Sequence, residues 1–188
     1  MDRFCVIGVV LALAAGGCSA GATEEPSPTT SRSVVTEQPT ATASETVPAP
    51  PEIPAEAKEM TEAGADAFAR HWFDVVEYAY ATGNTEPLRA LAESECEICN
   101  ASIAEIEERA QQGLITQGLN IEVLTSAAAP GDNRGVVVTM TVRESDSRVV
   151  DADGEVQEES PASGQIAVNV YVANAGTEWQ LFEIGVIT

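Results

Sequence analysis

The sequence predicts an α+β domain, with N-terminal helices packed on one face of an antiparallel sheet. Up to about residue 112 the apolar side chains recur at helical spacing, and after Gly118 the period switches to two and stays there to the C-terminus. Helices first and strands afterwards segregate the two element types, as that class requires. The segment that carries both patterns, residues 56–188, is of the size that builds one hydrophobic core.

The first helix is expected from about Ala55 to Thr82. Met60, Gly64, Phe68, Trp72, Val75, Val76 and Ala79 make its apolar stripe, and Glu59, Glu62, Asp66, Arg70 and Glu77 point away. Gly83 stops it, because glycine readily takes the left-handed conformation that closes a helix. Asn84-Thr85-Glu86-Pro87 then caps and starts a short second helix through Leu88 and Leu91. Ser94-Glu-Cys-Glu97 reads as a capping box opening a third. On that helix Cys99, Ile103, Ile106 and Ala110 share a face, and Gly113 ends it.

The strands follow by alternation. Leu119, Ile121 and Val123 form one set, Val136, Val138, Met140 and Val142 a second, and Ile166, Val168, Val170 and Val172 a third. Phe182, Ile184 and Val186 are expected to close the sheet as a fourth alternating set. Between the second and third, Arg148–Asp151 and Gly154–Gln157 read as a hairpin turning at Asp151-Ala-Asp-Gly154.

Ahead of the domain the composition changes. Phe4 to Ala15 is apolar and about a dozen residues long, or ~18 Å as a helix, too short for the ~30 Å core of a bilayer. Residues 1–17 therefore read as a cleaved signal peptide. Ala15-Gly16-Gly17-Cys18 resembles the bacterial lipobox, with Ala15 where leucine is usual. Cys18 is then the acylated residue, and two acyl chains are enough to hold a protein stably on a bilayer. The competing reading is an ordinary secreted chain cut near Ala20. From Ser19 to Ala55, seven prolines and seven threonines stand among Ser, Ala and Glu with no apolar period. Residues 18–55 are thus expected as the lipidated cysteine and a disordered tether, spanning roughly 30–35 Å as a coil.

Ala67-Phe68 through Trp72, Tyr78-Ala79, Thr82-Gly83-Asn84-Thr85, Leu88 and Cys96-Glu-Ile-Cys99 together resemble a family of actinobacterial exported lipoproteins with one domain of unknown function. That domain is similar to the nuclear-transport-factor-2-like, or cystatin-like, cone. The resemblance implies a strongly curved sheet wrapped by a long helix and shorter ones. It implies no chemistry, since the family carries none.

Cys96 and Cys99 are the cysteines of the domain, and outside the membrane they are expected to be oxidised to each other. The spacing also fits thiol–disulfide exchange. Against that stand Glu95 and Glu97, whose charges raise a thiol pKa, and the absence of a preceding βαβ unit. A structural clasp is the expectation. Zinc lacks a tetrahedral set, because His71 is the one histidine and lies far along the chain.

The formal charge is −21 for the whole chain. The domain alone carries 24 acidic and 7 basic residues. Nucleic acid is excluded as a partner, because such binding neutralises phosphates with cations. Anionic lipid surfaces repel the domain too, so the acyl group and not the charge is expected to supply membrane attachment. Asp146, Asp151, Asp153, Glu155, Glu158 and Glu159 cluster in sequence, but Gly154 stands fourth with Asp151 as first, which suits a tight turn better than a calcium loop. No metal site and no cofactor are expected.

Catalysis has one candidate pair. His71 falls within the apolar stripe, and Asp74 three residues on is placed to orient it as a base with its carboxylate, with Tyr78 and Tyr171 as hydroxyl donors. This is the alternative reading, a small isomerase- or dehydratase-like cavity enzyme. The competing account makes His71 a packed core residue. Phe73 and Tyr80 lie seven apart on a flank of the same helix, either under the later helices or as an exposed aromatic edge. The leading expectation is a non-catalytic module, lipid-anchored at the outer face of a bacterial cell membrane. It would bind a protein or a small apolar ligand in its cone, pair with itself through the sheet, or simply present an acidic surface.

Overall fold

The computed structural model describes residues 48–131 and 135–187. The signal segment, Cys18 and the tether as far as residue 47 lie outside the described residues. Residues 48–54 form no helix or strand, yet Ile53, within the stretch expected as tether, already packs against the core.

The first helix is broken where the sequence suggested continuity. A 3-10 turn at Glu56–Lys58 is followed by an extended link, and helix α1 runs from Glu62 to Thr82. Thr61 causes the restart: its hydroxyl accepts from the Gly64 amide at 3.0 Å, satisfying one of the unpaired N–H groups of the first turn. Gly83, at φ 73°, closes α1 with its amide on the Ala79 carbonyl. Helix α2 is Glu86–Leu91, with Pro87 in its first turn as expected.

Helix α3 is Glu97–Gln111. Its cap is not the expected Ser94–Glu97 box. Cys96 is the cap residue, and its sulfur accepts from the Cys99 amide at 3.3 Å. Ser94 turns to Glu95 instead, at 2.7 Å. The disulfide explains the change, because it holds the Cys96 side chain over the first turn, where a serine would otherwise reach.

The strands form two antiparallel sheets. The larger has the order β2 (Ile121–Pro130), β3 (Gly135–Glu144), β6 (Ile166–Asn174), β7 (Trp179–Val186). The smaller is β1 (Ile115–Gln117), β4 (Ser147–Val150), β5 (Val156–Ser160). Strand β1 carries no alternation long enough to be read from sequence; it forms by pairing Ile115–Gln117 with Arg148–Val150.

Helix α1 packs across the larger sheet. Phe68, Trp72 and Val75 meet Val138, Met140, Val170, Val172 and Leu181, all buried, in one core. Two bulges bend that sheet, where Leu124 and Phe182 are each an extra residue in the register. The second corrects the expected last strand. Trp179 and Leu181 supply its buried residues, while Phe182 lies against Tyr171 with ring centroids 5.6 Å apart. Ile184 and Val186 do keep the inner phase, opposite Val170 and Val168.

Candidate functional site

His71 is buried, 3% exposed, on the core-facing side of α1. Its Nδ1 is buried with no hydrogen-bond partner. Burial holds its pKa below the ordinary 6.5, and the attraction of Asp74 opposes that shift without reversing it. Asp74 itself is exposed. No hydrogen bond links the pair, so the carboxylate does not orient the ring, and His71 does not line the α3–β7 groove or the clefts beside α2 and the β4–β5 hairpin. The tyrosines do not converge on it either. Tyr78 accepts from the Asn84 side-chain amide at 3.0 Å, and the Tyr171 ring lies tilted against Phe182 of the neighbouring strand. The base-and-carboxylate arrangement is not assembled here.

Phe73 joins the core. Tyr80 is half-buried between helices: its hydroxyl donates to Glu105 at 3.3 Å and Arg109 lies 6.0 Å over its ring. Burial and the Glu105 carboxylate push its pKa up to about 12. The flank of α1 thus docks α3 and offers no aromatic edge.

Cys96 and Cys99 are disulfide-bonded, with Cα atoms 5.3 Å apart and both residues buried. A buried bridge that also caps a helix acts as a clasp.

The acidic hairpin is organised by hydrogen bonds. Asp151 Oδ1 accepts from the Asp153 and Glu155 amides, both at 3.0 Å, and Oδ2 accepts from the Gln157 side chain at 2.7 Å. Gly154 completes the turn at φ 82°. Asp151 is therefore committed to the turn, and no group of three His, Cys, Asp or Glu among the described residues is placed to hold a metal ion.

Two surfaces remain. The first is the outer face of the larger sheet, which no helix covers among the described residues. The register brings Thr125, Ala127, Ala129, Val137, Thr139, Thr141, Ala167, Asn169, Tyr171 and Gly185 onto it. The charges on this face are the Glu122–Arg143 ion pair at one corner and Glu183 on the far edge. The second is a groove of about 610 Å³ between the start of α3 and β7, floored by Ile98, Ala101, Phe182 and Ile184. The groove was not read from the sequence; the sheet was expected as a pairing surface, but not the residues that compose its face. Ile98 carried a signal, being apolar but off the Cys99–Ile103–Ile106 stripe.

The sequence matches the profile of a family of unknown function (DUF6318) over residues 37–184. The chain belongs to this family. Its match spans the described domain and runs back into the Thr/Pro-rich segment, and it brings no assigned chemistry. No curated protein matches the chain. Among solved structures, the intermembrane-space region of the chloroplast protein ARC6 is similar at a TM-score of 0.52 and 16% identity, covering 69% of this chain and 98% of that one. That likeness shows a shared fold and nothing of function. Two weaker likenesses are to Aln2 from a Streptomyces species, at TM-score 0.44 and 9% identity over 68% of this chain and 93% of that one, and to a protein with a cystatin-like fold from Caulobacter vibrioides. The latter has a TM-score of 0.42 and 12% identity over 66% of this chain and 87% of that one. The expected class, helices on one face of a curved antiparallel sheet, is the observed one.

Proposed function

We propose that the protein is a non-catalytic interaction module, lipid-anchored through Cys18 at the outer face of a bacterial cell membrane, that pairs with a second copy through the open face of its sheet. The observation that carries this reading is that the middle of that face carries no charge, the Glu122–Arg143 pair and Glu183 standing at its margins. A two-fold contact places the same patch against itself, so a patch of one sign repels its own copy. In a chain of net charge −21, the strip from Ala127 and Thr139 to Asn169 and Gly185 brings two copies together without setting acid against acid.

Strands about 4.8 Å apart and up to ten residues long make the face roughly 19 Å by 30 Å, about 600 Å². That falls below the ~800 Å² per partner of a standard stable interface. Pairing is therefore concentration-dependent, and a shared membrane anchor raises the effective concentration.

Sedimentation velocity over a concentration series tests the pairing, with Thr139→Glu as the comparison. The wild type shifts toward dimer as concentration rises, and the variant stays monomeric. A wild type monomeric throughout, or a variant that pairs equally well, overturns the reading. Mass spectrometry of the native N-terminus tests the anchor: a diacylglyceryl thioether on Cys18 supports it, and a chain starting beyond Cys18 ends it.

A further inference from the structure

We infer that the groove between the start of α3 and strand β7 is a docking site for an extended, cationic segment of another protein, which adds to the edge of β7 and sets an apolar side chain between Ile98 and Ile184. Three observations converge there. Strand β7 is the outer strand of its sheet. Its free edge is met at Leu181, where Ala92 bridges to it and the Glu93 amide donates to the Leu181 carbonyl at 2.9 Å. Beyond Phe182 no described element pairs with that edge, so Glu183–Val186 present main-chain groups that an added strand can use.

The groove beside this edge is apolar at its floor. Ile98, 47% exposed, lines its helix side and half-buried Ile184 its strand side. Large apolar side chains on both sides of one groove, one of them left open, favour a ligand with an apolar residue to place between them. The rim has one sign: Glu97 stands on the helix side and Glu183 on the strand side.

Charge decides the occupant. A second copy pairing edge to edge would bring Glu183 and Glu97 against their own copies. The chain's own N-terminal segment, with Glu24, Glu25, Glu37 and Glu45 against Arg32, carries the same excess of acid. A segment of alternating apolar and Lys or Arg residues suits all three features at once: main chain to the edge, apolar side chain to the floor, cations to the rim. This site meets the sheet face proposed for self-pairing only at its far edge, at Glu183 and Gly185, and neither reading depends on the other.

The probe is the synthetic heptapeptide Lys-Val-Lys-Leu-Lys-Val-Lys, capped at both ends, with Lys-Gly-Lys-Gly-Lys-Gly-Lys as the charge-matched control. Titration is followed by amide chemical shifts and calorimetry at physiological salt, on the wild type and on Thr139→Glu, so that association through the sheet face does not enter. The apolar peptide is expected to bind about tenfold or more tighter than the control, with the largest shifts at Ile98, Ala101 and Glu183–Val186. Ile98→Asp separates groove binding from mere attraction, because it adds negative charge while removing the floor. It is expected to reduce affinity for the apolar peptide to that of the control. Equal affinity for the two peptides, an Ile98→Asp variant that binds as well as the wild type, shifts that fall elsewhere, or no binding at all each overturn the inference.

Discussion

The Trp179 indole N–H donates to the Glu59 carbonyl at 2.9 Å, joining the last strand to the link that precedes α1. The same carbonyl faces Gly64, where a Cβ would stand 1.9 Å from the oxygen. One backbone group thus fixes both the break in the helix and the seating of β7.

Gly64→Ala is expected to reverse the usual sign of such a change. An unobstructed helical glycine gains about 1 kcal/mol on replacement by alanine. Here the Cβ must displace backbone, and we expect a loss of about 1–3 kcal/mol. Trp179→Phe, which keeps most of the packing and drops the donor, is expected to lose about 0.5–1.5 kcal/mol, the worth of one hydrogen bond, because the Glu59 carbonyl still accepts from the Thr61 amide at 2.8 Å. Chemical denaturation of both variants checks the pair. A stabilised Gly64→Ala would show that the link yields freely.

The disulfide carries a second expectation. Cys96 and Cys99 close a loop of only three residues in sequence separation, so their bond constrains the unfolded chain by roughly 2 kcal/mol on loop-entropy grounds. A Cys96→Ser, Cys99→Ser double variant is expected to fold and to lose about that much. Serine at 96 keeps an acceptor for the Cys99 amide, so α3 retains its cap. Turnover in an insulin-reduction assay is expected to stay at background, since Glu97 beside the pair disfavours a thiolate. Turnover above background would make the bridge redox-active.

The Asp151 turn gives a third. Its carboxylate accepts three hydrogen bonds within the hairpin, so Asp151→Ala is expected to loosen β4–β5 at a cost of about 1 kcal/mol per lost bond or less, given its exposure. Amide exchange at Asp153 and Glu155 should quicken while α1 stays protected. Calcium is expected to leave those two amide resonances in place, because the carboxylate oxygens already have donors. A calcium-dependent shift there would restore the cation reading.

What was legible in the sequence follows from what local physics can fix. The α1 stripe from Gly64 onward, the Gly83 stop, Pro87 in α2 and the Asp151–Gly154 turn are set within a few residues, and all were foreseen, whereas Met60, expected to open the stripe, lies before α1 and is exposed. The α1 break, the Cys96 cap and β1 were not: the Thr61 cap is masked by an apolar stripe that runs on through it, the Cys96 cap uses a sulfur where the pattern offers a serine, and β1 depends on Val149 and Val150, far along the chain. The Phe182 bulge was hidden by its own neighbours, since Phe182, Ile184 and Val186 alternate perfectly and only pairing with β6 reveals the extra residue. The same limit applies to the surfaces. A neutral sheet face is assembled from four strands whose register no single segment contains, whereas the His71–Asp74 spacing was visible at once and says nothing of burial.

His71 supplies the last prediction. The folded protein holds the ring neutral because burial lowers its pKa below 6.5, with Asp74 opposing. Unfolded chains therefore bind a proton that folded ones refuse as pH falls through about 6.5, and stability rises with pH across that window. The contribution is full above the unfolded value and is lost on acidification until the folded pKa is reached. Glu107, whose carboxyl Thr85 and Arg89 hold below the ordinary 4.5, acts in the same direction but in a more acidic range. Denaturation at pH 5.5 to 7.5 is expected to show the slope in the wild type and not in His71→Leu. Asp74→Asn removes the opposing attraction, so it is expected to lower the folded pKa further and carry the slope to lower pH. With a single histidine in the chain, the ring Cε1–H resonance reads the folded pKa directly. A value at or above 6.5 would mean that the ring is hydrated, and would reopen His71 as a reactive group.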